Sequence, residues 1–180
     1  MTVKNIVYIG CSLDGYIAGK NGELDWLDSI PIPEGVDMGF VAHMERIDAL
    51  LMGRTTFETV CGFGGAWPYS KPVFVLSTTL TSIPDAYADK AQLVSGSLTN
   101  VLSSIHQKGY HNLYIDGGAT VQSFLREDLI DEMIITTIPI LLGGGARLFG
   151  DLPKPLSFEL VGTEVFVNQI VQEHYRRKQN

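Results

Sequence analysis

The sequence is short of positive charge, short of cysteine and without a long apolar run, and each shortage narrows what the chain can be. Its 13 Lys and Arg stand against 20 Asp and Glu, a formal net charge of −7. Phosphate backbones are gripped by clustered Lys and Arg, so nucleic acid is not expected as a partner. The one basic cluster, Arg176, Arg177 and Lys178, reads as a solvated tail. Cys11 and Cys61 are the only two cysteines. They support neither a disulfide framework nor a Cys-rich zinc site, and they suit a reducing compartment. The longest apolar run, Met133 to Leu142, is about half the ~20 residues that span a bilayer, so no membrane anchor is expected. The first ten residues lack the apolar stretch and cleavage site of a signal peptide, which points to the cytoplasm. His43, His106, His111 and His174 stand at unrelated positions, so no metal is expected.

What remains is the composition of a folded enzyme-sized domain: 45% apolar and 18% charged residues, with 19 Gly and 8 Pro. At 180 residues one core suffices, and residues 1–180 are expected to form a single domain. Buried strands are expected at Ile6–Ile9, Ala49–Met52, Val73–Leu76, Leu113–Ile115 and Met133–Ile138, where short β-branched runs are apolar throughout. Helical spacing appears at Met38–Ile47, Thr55–Val60, Leu98–Gln107 and Ala119–Leu125. Phe158–Phe166 and Ile170–Tyr175 alternate around a short turn, the pattern of an antiparallel hairpin. The fold class is therefore α/β: a central, mostly parallel sheet with helices on both faces and a C-terminal antiparallel hairpin. Sites in such folds form at the carboxyl ends of the strands. The loop from Glu23 to Val36 is long and rich in Pro and Asp, as functional loops often are.

Two strand-to-helix junctions carry the chemistry. Leu50-Leu51-Met52-Gly53-Arg54-Thr55-Thr56-Phe57-Glu58 runs from a buried strand through a glycine and an arginine into a helix. Glycine admits close backbone approach, a helix start offers free N–H groups and arginine adds a cationic fork, which together suit a phosphate. The plainer alternative is that Thr55 caps the helix and Arg54 pairs with a surface acid. Leu113 to Val121 repeats the pattern with Gly117 and Gly118, although paired glycines are often only a tight turn. Neither these nor Gly143-Gly144-Gly145 have the G-x-G-x-x-G spacing of a Rossmann dehydrogenase, and Gly10-Cys11-Ser12-Leu13-Asp14 does not supply it after the first strand.

Five ordered motifs give the chain a family resemblance: Ser12 to Ala18, Leu51 to Glu58, Lys71 to Ser77, Tyr114 to Leu125 and Pro139 to Gly145. Together they resemble the dihydrofolate reductase superfamily, most closely its branch similar to the reductase domain of the bacterial riboflavin-biosynthesis deaminase-reductase. The resemblance implies a dihydrofolate reductase-like fold and NADPH as cofactor. It places Ile17 and Ala18 beside the nicotinamide and Gly53, Arg54, Thr55 and Thr56 at the phosphates. It puts Leu76, Ser77 and Thr78 at the adenosine end, and Gly117, Gly118, Ala119 and Thr120 at the pyrophosphate. Arg54 would favour NADPH over NADH. The implied activity is transfer of hydride to a C=N bond of a small heterocycle, similar to 5-amino-6-(5-phosphoribosylamino)uracil reductase or dihydrofolate reductase.

On the substrate side, Asp37 precedes Arg54 at the separation at which folate-reducing members place a buried carboxylate on the pterin. It is the candidate catalytic and substrate-binding acid, and an N-cap is the competing reading. Thr137 is a further substrate-side candidate by the same analogy. Trp26, Trp67 and Tyr69 lie in loops near the expected cleft, either stacking on a planar ring or covering the core. Trp26 to Val36 departs from the folate reductases, which makes folate an unexpected substrate, and no deaminase zinc signature accompanies the reductase part. A non-catalytic NADP- or pterin-binding protein of the same fold is the alternative function. The resemblance also implies a homodimer, for which the apolar hairpin residues Phe158, Val165 and Phe166 offer an edge.

Overall fold

The computed structural model describes residues 2–179. Each of the five expected buried strands lies inside an observed strand. In chain order the elements are β1 (Lys4–Ser12), β2 (Tyr16–Ala18), α1 (Phe40–Arg46), β3 (Ala49–Gly53), α2 (Arg54–Gly62), β4 (Val73–Leu76) and β5 (Ala91–Val94). They continue as α3 (Leu98–Gln107), β6 (Asn112–Asp116), α4 (Gly118–Arg126), β7 (Glu132–Ile138), β8 (Ala146–Arg147), β9 (Phe158–Phe166) and β10 (Ile170–Arg177). Eight strands form one sheet in the order β5-β4-β3-β6-β1-β7-β10-β9. The first six are mutually parallel, and β10 runs antiparallel to both β7 and β9, which is the expected hairpin. β2 and β8 form a separate antiparallel ribbon.

The pleat sorts the core into two layers. Ile6, Leu50, Met52, Val73, Val75 and Tyr114 pack against Met44 of α1 and Phe57 of α2. Val7, Leu51, Phe74, Leu113 and Ile115 pack on the other face against α3 and α4. Both faces are thus covered, which is why these strands read as continuous apolar runs rather than alternating ones. α1 is fixed to its layer by His43, whose ring stacks on Tyr8 at 4.7 Å and meets Tyr114 edge-on; burial pushes its pKa down to about 4.

The topology also locates the cleft. From β3 the chain moves outward through β4 to β5, whereas from β6 it passes β1 and goes to β7 in the opposite direction. β3 and β6 are adjacent, so their carboxyl ends open the crevice in which open α/β sheets bind ligands. Among the described residues no helix is long and apolar enough to cross a membrane.

Candidate active site

The two glycine junctions of the sequence meet at that crevice. Gly53 ends β3 and Gly117 follows β6, and each is the N-cap residue of its helix with no side-chain cap. α3, by contrast, is capped in the ordinary way by the Ser97 hydroxyl, which accepts from the Asn100 N–H. The first-turn N–H groups of α2 and α4 are therefore left for another acceptor, as an anion at a helix start requires. The helices approach so closely that a Cβ on Gly53 would come within 2.9 Å of Thr120 Oγ1, and a Cβ on Gly117 would meet Thr56 Oγ1. Gly117 also has φ +95°, a conformation L side chains rarely adopt. Thr56 and Thr120 thus each reach across to the other helix's glycine.

The remaining expected cofactor residues surround this pair. Arg54 is exposed; its Nε donates to Glu58 Oε1 at 2.7 Å and its Nη1 to Thr79 Oγ1 at 3.1 Å, which spans the gap from α2 to the turn after β4. Leu76 ends β4, Thr78 is exposed, and the Ser77 hydroxyl is used inside the turn, accepting from the Thr79 and Leu80 N–H groups. Thr79, absent from the sequence expectations, is the hydroxyl that Arg54 reaches. Ile17 closes over the start of α4, where a Cβ on Gly118 would meet its Cδ1 at 2.8 Å, and the carbonyl of Ala18 abuts Gly145. Thr55 and Ala119 are exposed at the two helix starts. The residues fit a dinucleotide: two free helix starts for its phosphates, an arginine and hydroxyls at one end, and an apolar ribbon at the other.

Asp14 explains the Ser12-to-Ala18 motif. Its carboxylate accepts from the Ser12 hydroxyl at 2.6 Å and from the N–H groups of Leu142 at 3.1 Å and Gly143 at 2.8 Å. These bonds, the Ser12 hydroxyl first, pull its pKa down to about 2 and tie the end of β1 to the loop after β7. The ribbon is held over α4 by that tie.

The two substrate-side candidates engage local partners. Asp37 is exposed rather than buried, and its two oxygens accept the N–H groups of Gly39 at 3.0 Å and Val41 at 2.9 Å. Those bonds hold its pKa below the ordinary carboxylate range. Asp37 lies two residues before the N-cap Gly39 of α1, and the bond from the Val41 N–H satisfies a first-turn donor that the helix itself leaves free. Thr137 lies on the face away from α1: it pairs in register with Cys11 and their side chains are 3.9 Å apart. Strand parity instead puts Thr136 on the α1 face, where it accepts from Gln172 Nε2 at 2.9 Å.

The carboxylate at the crevice floor is Asp116, the last residue of β6, immediately before Gly117. It is half-buried, on the same face as Tyr114, and faces Tyr69. Burial pushes its pKa up to about 6 against the opposing Gly117 N–H, and burial beside this acid raises Tyr69 well above the ordinary phenol range. Trp67 meets Tyr69 edge-on at 5.5 Å and also packs on Phe57. The sequence signal for Asp116 was an acid at the very end of a buried strand, which reads equally as turn chemistry.

The profile of the RibD C-terminal domain matches residues 4–172. The chain belongs to the RibD C-terminal domain family. A crystal structure of a Shewanella sp. PV-4 protein assigned provisionally to riboflavin biosynthesis superposes with a TM-score of 0.95 at 56% identity, covering 98% of this chain and 99% of that one. The Thermotoga maritima diaminohydroxyphosphoribosylaminopyrimidine deaminase/5-amino-6-(5-phosphoribosylamino)uracil reductase shares the fold with a TM-score of 0.74 at 15% identity, this chain covering 57% of its length. Enterococcus faecalis dihydrofolate reductase, in a complex with NADP(H), shares it with a TM-score of 0.66 at 22% identity, 98% and 97% of the two chains being covered. The fold is thus a dihydrofolate reductase-like fold, and membership of the RibD C-terminal domain family supports a reductase-type function.

Proposed function

We propose that this RibD C-terminal protein is an NADPH-dependent oxidoreductase that reduces a C=N bond in a small heterocycle. The observation that carries the reading is the pair of uncapped, glycine-opened helix starts facing each other across β3 and β6. Arg54 and Thr79 beside them suit a 2′-phosphate, because a guanidinium meets phosphate with paired, charge-assisted hydrogen bonds. When bound there, the nicotinamide supplies the hydride. Reduction of C=N also needs a proton at nitrogen, and Asp116 is the group placed to hold one. Near pH 6 it exchanges that proton readily, whereas Asp37 stays ionised and engaged. Tyr69 and Trp67 line the same wall as an aromatic face for a planar ring.

Calorimetric titration with NADPH and NADH tests the cofactor. NADPH is expected to bind tighter, and Arg54→Ala to lose about 1.5–3 kcal/mol of NADPH affinity, roughly 10- to 100-fold, while leaving NADH nearly unchanged. Equal losses for both nucleotides would remove Arg54 from the phosphate site. For Asp116, turnover is expected to fall as pH rises through about 6, since only the protonated carboxyl can donate. Asp116→Asn should abolish that limb, keep NADPH binding and, at pH 7, leave the melting temperature unchanged or raised, because an ionised carboxylate in a desolvated place is unfavourable. A variant with full turnover and the same pH profile rules out the acid role.

A homodimer is part of the same proposal. β9 is exposed over Glu159 to Val165, with Leu160 and Val165 both 56% accessible, and a nine-residue edge strand without Lys or Pro favours pairing with another chain. Sedimentation is expected to give twice the chain mass.

A further inference from the structure

Arg54 is the first residue of α2, and its guanidinium is held from two sides. Nε donates to Glu58 Oε1 at 2.7 Å, one turn along the same helix, and Nη1 donates to Thr79 Oγ1 at 3.1 Å in the turn after β4. That turn is itself anchored. The Thr79 N–H donates to the Ser77 hydroxyl at 3.1 Å, and Ser77 is buried, its own N–H donating to the carbonyl of Val94 at the end of β5. The Nη2 edge of the guanidinium makes no bond among the described residues.

Helix stability gives a poor account of this pair. A cation at the first residue opposes the helix dipole, and α2 has neither an acid in its first turn nor a side-chain cap. An i,i+4 ion pair also serves a helix better with the acid on the N-terminal side, the reverse of the order here. Both side chains are about half exposed, at 44% and 52%, where such a pair adds little to stability. Glu58 makes no other hydrogen bond or ion pair among the described residues.

We propose that Glu58 is a positioning residue for cofactor choice: it presets the Arg54 guanidinium so that the open Nη edge meets the 2′-phosphate of NADPH. The proposal rests on the phosphate reading of Arg54 given above and deepens it. A free arginine side chain loses rotamer freedom when it closes on a phosphate, and one already held loses less. With Nε taken by Glu58, the phosphate is offered the end-on pair of Nη donors. The Glu58 charge opposes a phosphate, but the pair is open to water and the repulsion is screened, so positioning outweighs it. NADH brings no phosphate to this edge and gains nothing from it.

The test is calorimetric titration of Glu58 variants with NADPH and NADH. Glu58→Ala is expected to weaken NADPH about three- to tenfold, with NADH affinity and melting temperature essentially kept. Glu58→Gln, which keeps an acceptor for Nε and drops the charge, should restore NADPH to within about twofold of the unmodified protein. In an Arg54→Ala background, Glu58→Ala should cost NADPH nothing further, because Glu58 acts only through the guanidinium. NADPH binding that is unchanged or tighter in Glu58→Ala overturns the proposal, as does an equal loss of NADH or the same loss without Arg54. If Arg54→Ala weakens NADPH alone while Glu58→Ala does nothing, the phosphate site stands and only the role of Glu58 is removed. If NADPH fails to bind, or Arg54→Ala weakens both nucleotides alike, the phosphate site is removed and the role of Glu58 falls with it.

Discussion

Glu132→Gln is expected to lower the unfolding free energy by about 3 kcal/mol and the melting temperature by about 6–12 °C. Glu132 is a charge in a strand, with its side chain only 3% exposed, and Lys4 at 2.5 Å, Arg46 at 2.6 Å and His174 at 3.0 Å converge on it. It joins the N-terminal strand, the end of α1 and the C-terminal strand at one point. Removing the anion leaves three donors facing one another beside a buried amide. Breaking a buried pair costs about 3–5 kcal/mol, and the lower end applies because Lys4 and Arg46 are partly solvated. Burial works against the charge, yet the three donors outweigh it and hold the pKa down to about 2 from 4.5. Stability from Glu132 is therefore full above about pH 4.5 and lost as pH falls toward 2, and that acid limb should flatten in the variant. Arg176→Ala, which breaks the exposed 3.4 Å pair with Glu159, should cost no more than about 0.5 kcal/mol. Chemical denaturation that ranks the two variants equally would refute the role given to Glu132.

Gly117→Ala is expected to reduce NADPH affinity by about 100-fold or more, roughly 2.7 kcal/mol. The new methyl would point at Thr56 Oγ1, filling the gap between the two helix starts, and the backbone there sits at φ +95°. Strain alone costs on the order of 1–3 kcal/mol of stability, so a control is needed. Gly109 has a similar φ of +91° with nothing within 4 Å of where an added methyl would sit, and it lies in the turn between α3 and β6, at the other edge of the sheet. Gly109→Ala should therefore lose comparable stability and keep NADPH. If both variants bind the nucleotide alike at a temperature where both are folded, the crevice between β3 and β6 is not its site.

Much of this architecture is legible in the chain because the central parallel strands are buried on both faces and read as nearly continuous apolar runs. The helix Leu98–Gln107 coincides with its spacing, and the hairpin follows from alternation around Val167 to Gln169. β5 escaped because Ala91-Gln92-Leu93-Val94 is short and sits at the sheet edge, where a polar residue is tolerated. The β2–β8 ribbon escaped because three residues and two residues carry no periodicity of their own; they pair across more than a hundred positions. Adjacent threonines in β7 are indistinguishable without register, and it is the pairing with β1 that puts Thr136 and Thr137 on opposite faces. The exposure of Asp37 and its bonds to the Gly39 and Val41 N–H groups were not legible, because a separation along the chain does not say which way a carboxylate points.

The central position of β1 has a consequence for how the protein is made. It precedes β6 and β7 by about a hundred residues or more, yet these are its neighbours, with Lys4 beside Asn112 and Ile6 beside Glu132. This apolar segment must therefore wait until about a hundred further residues have left the ribosome. Such long-range closure is slow and leaves strand edges exposed meanwhile. Nascent chains released before Ile138 should be the ones that chaperones hold and proteases remove, while completed chains collapse around a strand that has been available from the start.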